Sequence, residues 1–172
     1  MKAITPIMLP LVLVLAAGAF VFADDESGKT AAPAEIQWVA YDVGLQRAAA
    51  EKKHVLVDFT AKWCGFCKKM DRETFAKPEV VEMINANFIP VKVDGDSQKE
   101  LNVNGYKITE ANLAKKEFGV RGYPTFWFLK SDGSKLGQIT GYRPPDVMME
   151  ALSYVKDEQY DTTKTETPKS ND

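Results

Sequence analysis

The sequence predicts an α/β fold, a central mixed β-sheet with helices on both faces. Residues 54–60, His-Val-Leu-Val-Asp-Phe-Thr, form a continuous apolar run of strand length between two segments of helical period. That is the pattern of a strand buried on both faces of a parallel sheet. Strand-like and helical segments then alternate along the chain as β-α-β-α-β-α-β-β-α. The last two strands, 125–129 and 136–140, are joined by Ser131-Asp132-Gly133-Ser134, a hairpin turn that makes the sheet mixed.

Taken in order, residues 36–40 read as a short edge strand. Asp42 is placed to cap a helix running to residue 53, with Val43, Leu45 and Ala48–Ala50 facing inward. After the strand at 54–60, a helix starts near Cys64 and continues through Met70 towards Phe75. Pro78 opens a second helical piece, with Val80, Val81, Met83 and Ile84 at helical spacing. Residues 88–94 form the next strand, in which Pro90 implies an edge, a bulge or a later start. Residues 95–108 carry turn chemistry, including Asn104-Gly105, without a defined element. Thr109 caps a helix to residue 118, and Pro144-Pro145 leads into a last helix ending near residue 155. His54 reads as a strand-end residue, Phe126-Trp127-Phe128 as a core strand, and Met148-Met149 as part of an amphipathic helix.

Composition narrows the function. The 172 residues carry 22 Lys+Arg against 24 Asp+Glu, a formal charge of −2, so there is no basic excess to neutralise phosphates and no nucleic-acid partner is expected. With eleven Gly and nine Pro, the chain is neither collagen-like nor of low complexity. Residues 1–23 read as a signal peptide: Lys2, then an apolar run over 9–22 broken only by Pro10, then Val21-Phe22-Ala23 as a cleavage site. The alternative is an N-terminal membrane anchor. Residues 24–34 read as a flexible linker, 35–158 as one domain, and 159–172 as a polar, disordered tail. Export to an oxidising compartment follows, most simply a bacterial periplasm.

The two cysteines of the chain carry its chemistry. Trp63-Cys64-Gly65-Phe66-Cys67 lies directly after the buried strand, at a helix start. Helix positions i and i+3 share a face, so the two sulfurs can meet without moving the backbone. At the helix N-terminus, unpaired N–H groups stabilise a Cys64 thiolate, and Lys62, Lys68 and Lys69 add positive charge. Cys64 then attacks a substrate disulfide and Cys67 resolves the mixed disulfide. A static bridge over so short a loop stabilises little. A zinc site needs two further ligands, and a haem-attachment pattern fails because Lys68 follows Cys67. No nicotinamide or flavin site and no metal site is visible, so no cofactor is expected.

Val55–Phe59, Trp63–Lys68 and Val120–Thr125 occur in this order as three signature stretches, and the chain resembles the thioredoxin-like superfamily. Lys68–Met70, Thr74-Phe75, Pro78–Val81 and Gly141-Tyr142 resemble, more closely, the periplasmic C-terminal domain of transmembrane thiol–disulfide interchange reductases. The resemblance implies a three-layer thioredoxin-like fold. It implies that Cys64 and Cys67 form a redox-active disulfide with Cys64 attacking, and that Asp58 is the buried acid beneath them. Pro124 then corresponds to the cis-proline whose loop packs against the cysteines and pairs with substrate, bordered by Trp63 and Tyr123. Read alone, Asp58 is an acid inside an apolar strand, whose burial raises its pKa, or a capped strand-end residue. Pro124 read alone is equally an ordinary turn proline, and either aromatic a half-buried ring.

The dipeptide between the cysteines is Gly65-Phe66, without the histidine of strongly oxidising members, which favours a reductant or isomerase. Thioredoxin's lysine near the buried acid aligns with Pro90, leaving Lys92 two residues away. The expected function is an exported protein-disulfide reductase acting on protein or small-thiol disulfides, recharged by a membrane or thiol electron donor. The rivals are a net oxidase or isomerase, and a non-enzymatic binding or holdase module.

Overall fold

The computed structural model describes residues 35–162. The expected signal peptide, the expected linker at 24–34 and the chain beyond residue 162 lie outside the described residues. Four strands form the sheet in the order β2-β1-β5-β6. The central strand β1 (His54–Thr60) pairs in parallel with β2 (Phe88–Asp94) and antiparallel with β5 (Thr125–Leu129). The hairpin partner of β5 is β6 (Lys135–Thr140), so the sheet is mixed.

Alternation along β1 divides the interior. Val55, Val57 and Phe59 point to one face, where they meet Tyr41 and Ala48 of α1 (Tyr41–Glu51), Val91 and Val93 of β2, and Phe118. Leu56 points to the other, among Met70 of α2 (Gly65–Glu73), Val80 and Ile84 of α3 (Pro78–Asn87), and Met148 and Leu152 of α5 (Pro145–Lys156). Val55, Leu56, Val57 and Phe59 are fully buried, the double-sided burial that the continuous apolar run foretold. The arrangement is the three-layer α/β architecture.

Several elements differ from the sequence expectation, each for a physical reason. Residues 36–40 make only one bridge, Val39 to Val91, rather than a strand. That bridge uses the outer side of β2: Pro90 O accepts from Val39 N and Lys92 N donates to Val39 O. β2 is therefore an edge strand, and the N–H that Pro90 lacks is one that faces outward. Asp42 lies inside α1 and does not cap it; Ala40 is the N-cap. The buried face of α1 is Tyr41, Gly44 and Ala48, while Val43 is exposed. Gly44 sets that face, because a Cβ there would fall 2.2 Å from Val91 Cγ2.

Residues 95–108 hold a second, two-stranded sheet of β3 (Glu100–Val103) and β4 (Tyr106–Thr109). Asn104 (φ 51°) and Gly105 (φ 86°) make its tight turn, and Leu101 and Ile108 bury its inner face. Thr109 caps as expected, its hydroxyl accepting from Asn112 N at 3.2 Å. It opens only α4 (Glu110–Asn112), which continues as a π-helical turn over Leu113–Glu117. The packed chain also extends past residue 158: the Tyr160 hydroxyl lies 2.7 Å from His54 Nε2, and its ring meets the histidine edge-on.

The close approach of α1 to β2 yields a test. Gly44→Ala gains helix propensity but must displace the stiff, fully buried Val91, so it should lower stability by about 1–2 kcal/mol in urea denaturation.

Candidate active site

The loop leaving β1 brings Cys64 to the N-cap of α2, with Cys67 on its first turn. The two form a disulfide with Cα atoms 5.3 Å apart, and Cys64 Sγ accepts from Cys67 N at 3.0 Å. Both residues are buried, only 4% exposed, in a small cluster with Ala61 that Tyr123 packs against. By contrast Trp63 and Phe66 are 70% and 63% exposed, an apolar rim around sheltered sulfurs. Trp63 is held in place. Its indole N–H donates to Asp96 Oδ2 at 2.5 Å, and its ring stands edge-on to Tyr123 with centroids 5.9 Å apart.

Tyr123 is seated by a missing side chain. A Cβ on Gly95 would come within 2.0 Å of the Tyr123 hydroxyl oxygen. Burial raises the Tyr123 pKa, and the Asp96 and Asp94 carboxylates push it the same way. The Tyr123-Pro124 peptide is cis, and Pro124 O accepts from Gly141 N at 2.8 Å. The segment after Gly141 braces α2 from the far side. Arg143 N donates to Met70 Sδ at 3.2 Å, Thr74 Oγ1 donates to Arg143 O at 2.6 Å, and the Tyr142 hydroxyl donates to Glu73 Oε2 at 3.0 Å.

Asp58 lies on the β1 face that looks towards α2, only 3% exposed. The parallel register sets it directly opposite Lys92, while Pro90 faces Leu56. This corrects the sequence alignment, which set Pro90 beside the acid. Because β1 and β2 pair from their first residues, His54 with Phe88, the fifth residues of each meet. Lys92 Nζ approaches Asp58 Oδ2 at 3.5 Å and Asp71 Oδ1 of α2 at 2.9 Å. Asp58 Oδ1 is buried without a hydrogen-bond partner. Loss of water raises the Asp58 pKa from 3.8 to about 7; Lys92 opposes the rise and Asp71 reinforces it.

All six residues singled out in the sequence are thus placed. Cys64, Cys67, Tyr123 and Trp63 form one contiguous group, Pro124 follows Tyr123 in chain, and Asp58 lies within the β1 face beneath α2. The sequence reading missed Lys92 as a partner, and with it Asp71, Asp96 and Gly95. Counting equal offsets along two seven-residue strands was the signal available for Lys92; the others depend on contacts between distant segments.

A thioredoxin-like domain profile matches residues 41–156. The thiol:disulfide interchange protein DsbD of Campylobacter jejuni is 29% identical over 108 residues, 62% of this chain but 17% of its own. The chain therefore spans less than a fifth of that relative. A thioredoxin from Aspergillus fumigatus is 34% identical over 91 residues, covering 53% of this chain and 68% of its own. In structure, the chain is similar to a thioredoxin from Thermus thermophilus, with a TM-score of 0.59 at 25% identity over 70% of this chain and 87% of that one.

The Asp58 environment makes a pH test. The native carboxyl takes up its proton near pH 7, whereas in the unfolded chain it does so near the ordinary 3.8. The native state therefore binds the extra proton between those values, and its stabilisation is full below the lower one and lost as pH rises through about 7. Asp58→Asn should be more stable than wild type at alkaline pH, by up to about 4 kcal/mol, with the difference shrinking towards acid pH. Denaturation midpoints across pH give the answer; a parallel offset at every pH would mean that Asp58 titrates normally.

Proposed function

Because the chain belongs to the thioredoxin-like domain family, we propose that it is a thiol–disulfide oxidoreductase that works as a reductant on disulfides of exported proteins or small thiols. The observation that carries this reading is the disulfide itself. Two buried sulfurs sit at the mouth of α2, the attacking one at the N-cap, inside an exposed aromatic rim.

The chemistry follows from that placement. In the dithiol form, the Cys67 N–H and the helix N-terminus favour negative charge on Cys64 Sγ. The Cys64 thiolate attacks one sulfur of a substrate disulfide, forming a mixed disulfide and releasing the other half as a thiolate that takes a proton. Cys67, as its thiolate, then attacks Cys64 Sγ, restoring the Cys64–Cys67 disulfide and releasing the second half. The substrate gains two electrons and two protons, and the cysteine pair loses them. Asp58, with a pKa of about 7, is the group suited to accept the proton that Cys67 sheds, and Lys92 steadies the charge that results. Trp63, Tyr123 and Pro124 form the docking surface for the substrate chain.

Export and direction rest on the sequence. Residues 1–23 carry the pattern of a signal peptide, which supports a periplasmic site of action. Gly65-Phe66 places no histidine between the cysteines to stabilise the dithiol state, which supports a reducing role. The name of the C. jejuni relative, a thiol:disulfide interchange protein, agrees with thiol–disulfide exchange. A membrane protein or a thiol supplies the electrons that recharge the pair.

Equilibration in glutathione buffers, read through Trp63 fluorescence, tests the direction. A reduction potential near about −270 mV supports a reductant, and one near about −120 mV would show a net oxidase instead. Cys67→Ser should accumulate mixed disulfides with clients on a non-reducing gel, whereas Cys64→Ser should abolish exchange. A Cys64→Ser protein that kept its client and its effect would point to a binding module.

A further inference from the structure

A cleft of about 660 Å³ has a lining that includes Arg121, Gly122, Tyr123, Pro124, Thr140 and Gly141. Its space is left open by glycine: a Cβ on Gly122 or Gly141 would meet no atom within 4 Å. Arg121 is the only charged residue lining it. The Arg121 side chain is exposed, with no ion pair or hydrogen bond among the described residues. Asp94 and Asp96 act on Tyr123 but line a separate hollow with Lys62 and Trp63. Tyr123 joins the cleft to the chemistry, since it lines the cleft and also packs on Cys64 and Cys67.

We propose that Arg121 selects disulfide substrates bearing a carboxylate close to the attacked sulfur, binding that carboxylate in the cleft beside Tyr123. The inference rests on the oxidoreductase reading and adds a substrate class to it. Arg121 is two residues from Tyr123, so their Cα atoms are at most about 7 Å apart, and its long side chain can meet a carboxylate within a few residues of a sulfur docked against Tyr123. A guanidinium offers paired, parallel N–H donors that match a carboxylate's two oxygens. With no acid in the cleft to neutralise it, that donor set is free for a ligand.

The test uses three small disulfides of different charge. Glutathione disulfide carries carboxylates, bis(2-hydroxyethyl) disulfide is neutral, and cystamine is cationic. Pre-reduced protein is mixed with each, and the second-order rate of its oxidation is followed by Trp63 fluorescence. One protein dithiol and one disulfide give one protein disulfide and two free thiols, so no other reductant enters. Arg121→Gln should slow the reaction with glutathione disulfide about three- to tenfold and leave the neutral substrate unchanged, with Arg121→Lys restoring part of the rate. Added salt should slow wild type on glutathione disulfide and affect the Gln variant less. Equal effects on all three substrates, or none, would overturn the role of Arg121 while leaving the oxidoreductase reading intact. Failure of the wild-type dithiol to react with any of the three would overturn both.

Discussion

A carboxyl group without water organises the centre of this protein. Asp58 interrupts the central strand, which is buried on both faces, with one oxygen unpartnered and the other 3.5 Å from Lys92. An ionised carboxylate there is costly, so the group holds its proton up to about neutral pH. Lys92 lowers that cost without abolishing it, because it is shared with Asp71 of α2. This single contact couples the central strand, the edge strand and the helix that carries the cysteines. Stability is sacrificed at Asp58, and a carboxyl group of near-neutral pKa is retained beneath the helix that carries the cysteines, suited to the proton-accepting role proposed for it.

The same helix is held from other directions. Arg143 N reaches Met70, Thr74 reaches Arg143 O, and Tyr142 reaches Glu73, so the segment after Gly141 grips α2 beyond the cysteines. Gly141 itself is tied to Pro124 O. The loop before β5 and the C-terminal half of α2 are thereby braced by one stretch of chain. The proposed exchange needs such a frame, since it demands a defined approach of one sulfur to another. The rim is held as well, through the Trp63 bond to Asp96 and the Tyr123 seat over Gly95.

Charge is unevenly placed around the sulfurs. Asp94 and Asp96 gather with Trp63 on one hollow, while Arg121 alone charges the glycine-lined cleft. Charge near a cysteine bears on its thiolate, and complementary charge would favour one docking of a substrate over its reverse.

Much was legible in the sequence. The run 54–60, the CxxC at a helix start and the Ser131–Ser134 turn each depend on neighbours in the chain, and each has its expected form here. Period and turn chemistry are local, so a sequence records them directly. Local pattern misplaced α1's inner face, because the choice between Val43 and Gly44 is made by Val91, far along the chain. It left 95–108 unassigned, because two four-residue strands have too few positions to show a period.

By itself, then, the sequence determined the layered α/β class, the pair of thiols and the strand that buries Asp58. Only the tertiary structure decided that Lys92 rather than Pro90 faces the acid, that Gly95 seats Tyr123, and that Asp96 holds Trp63. The reason is physical. Strand register is settled by which residues can be buried together across the sheet, and a shift of two positions keeps every side chain on its face, so the hydrophobic pattern does not distinguish the two pairings. Packing does.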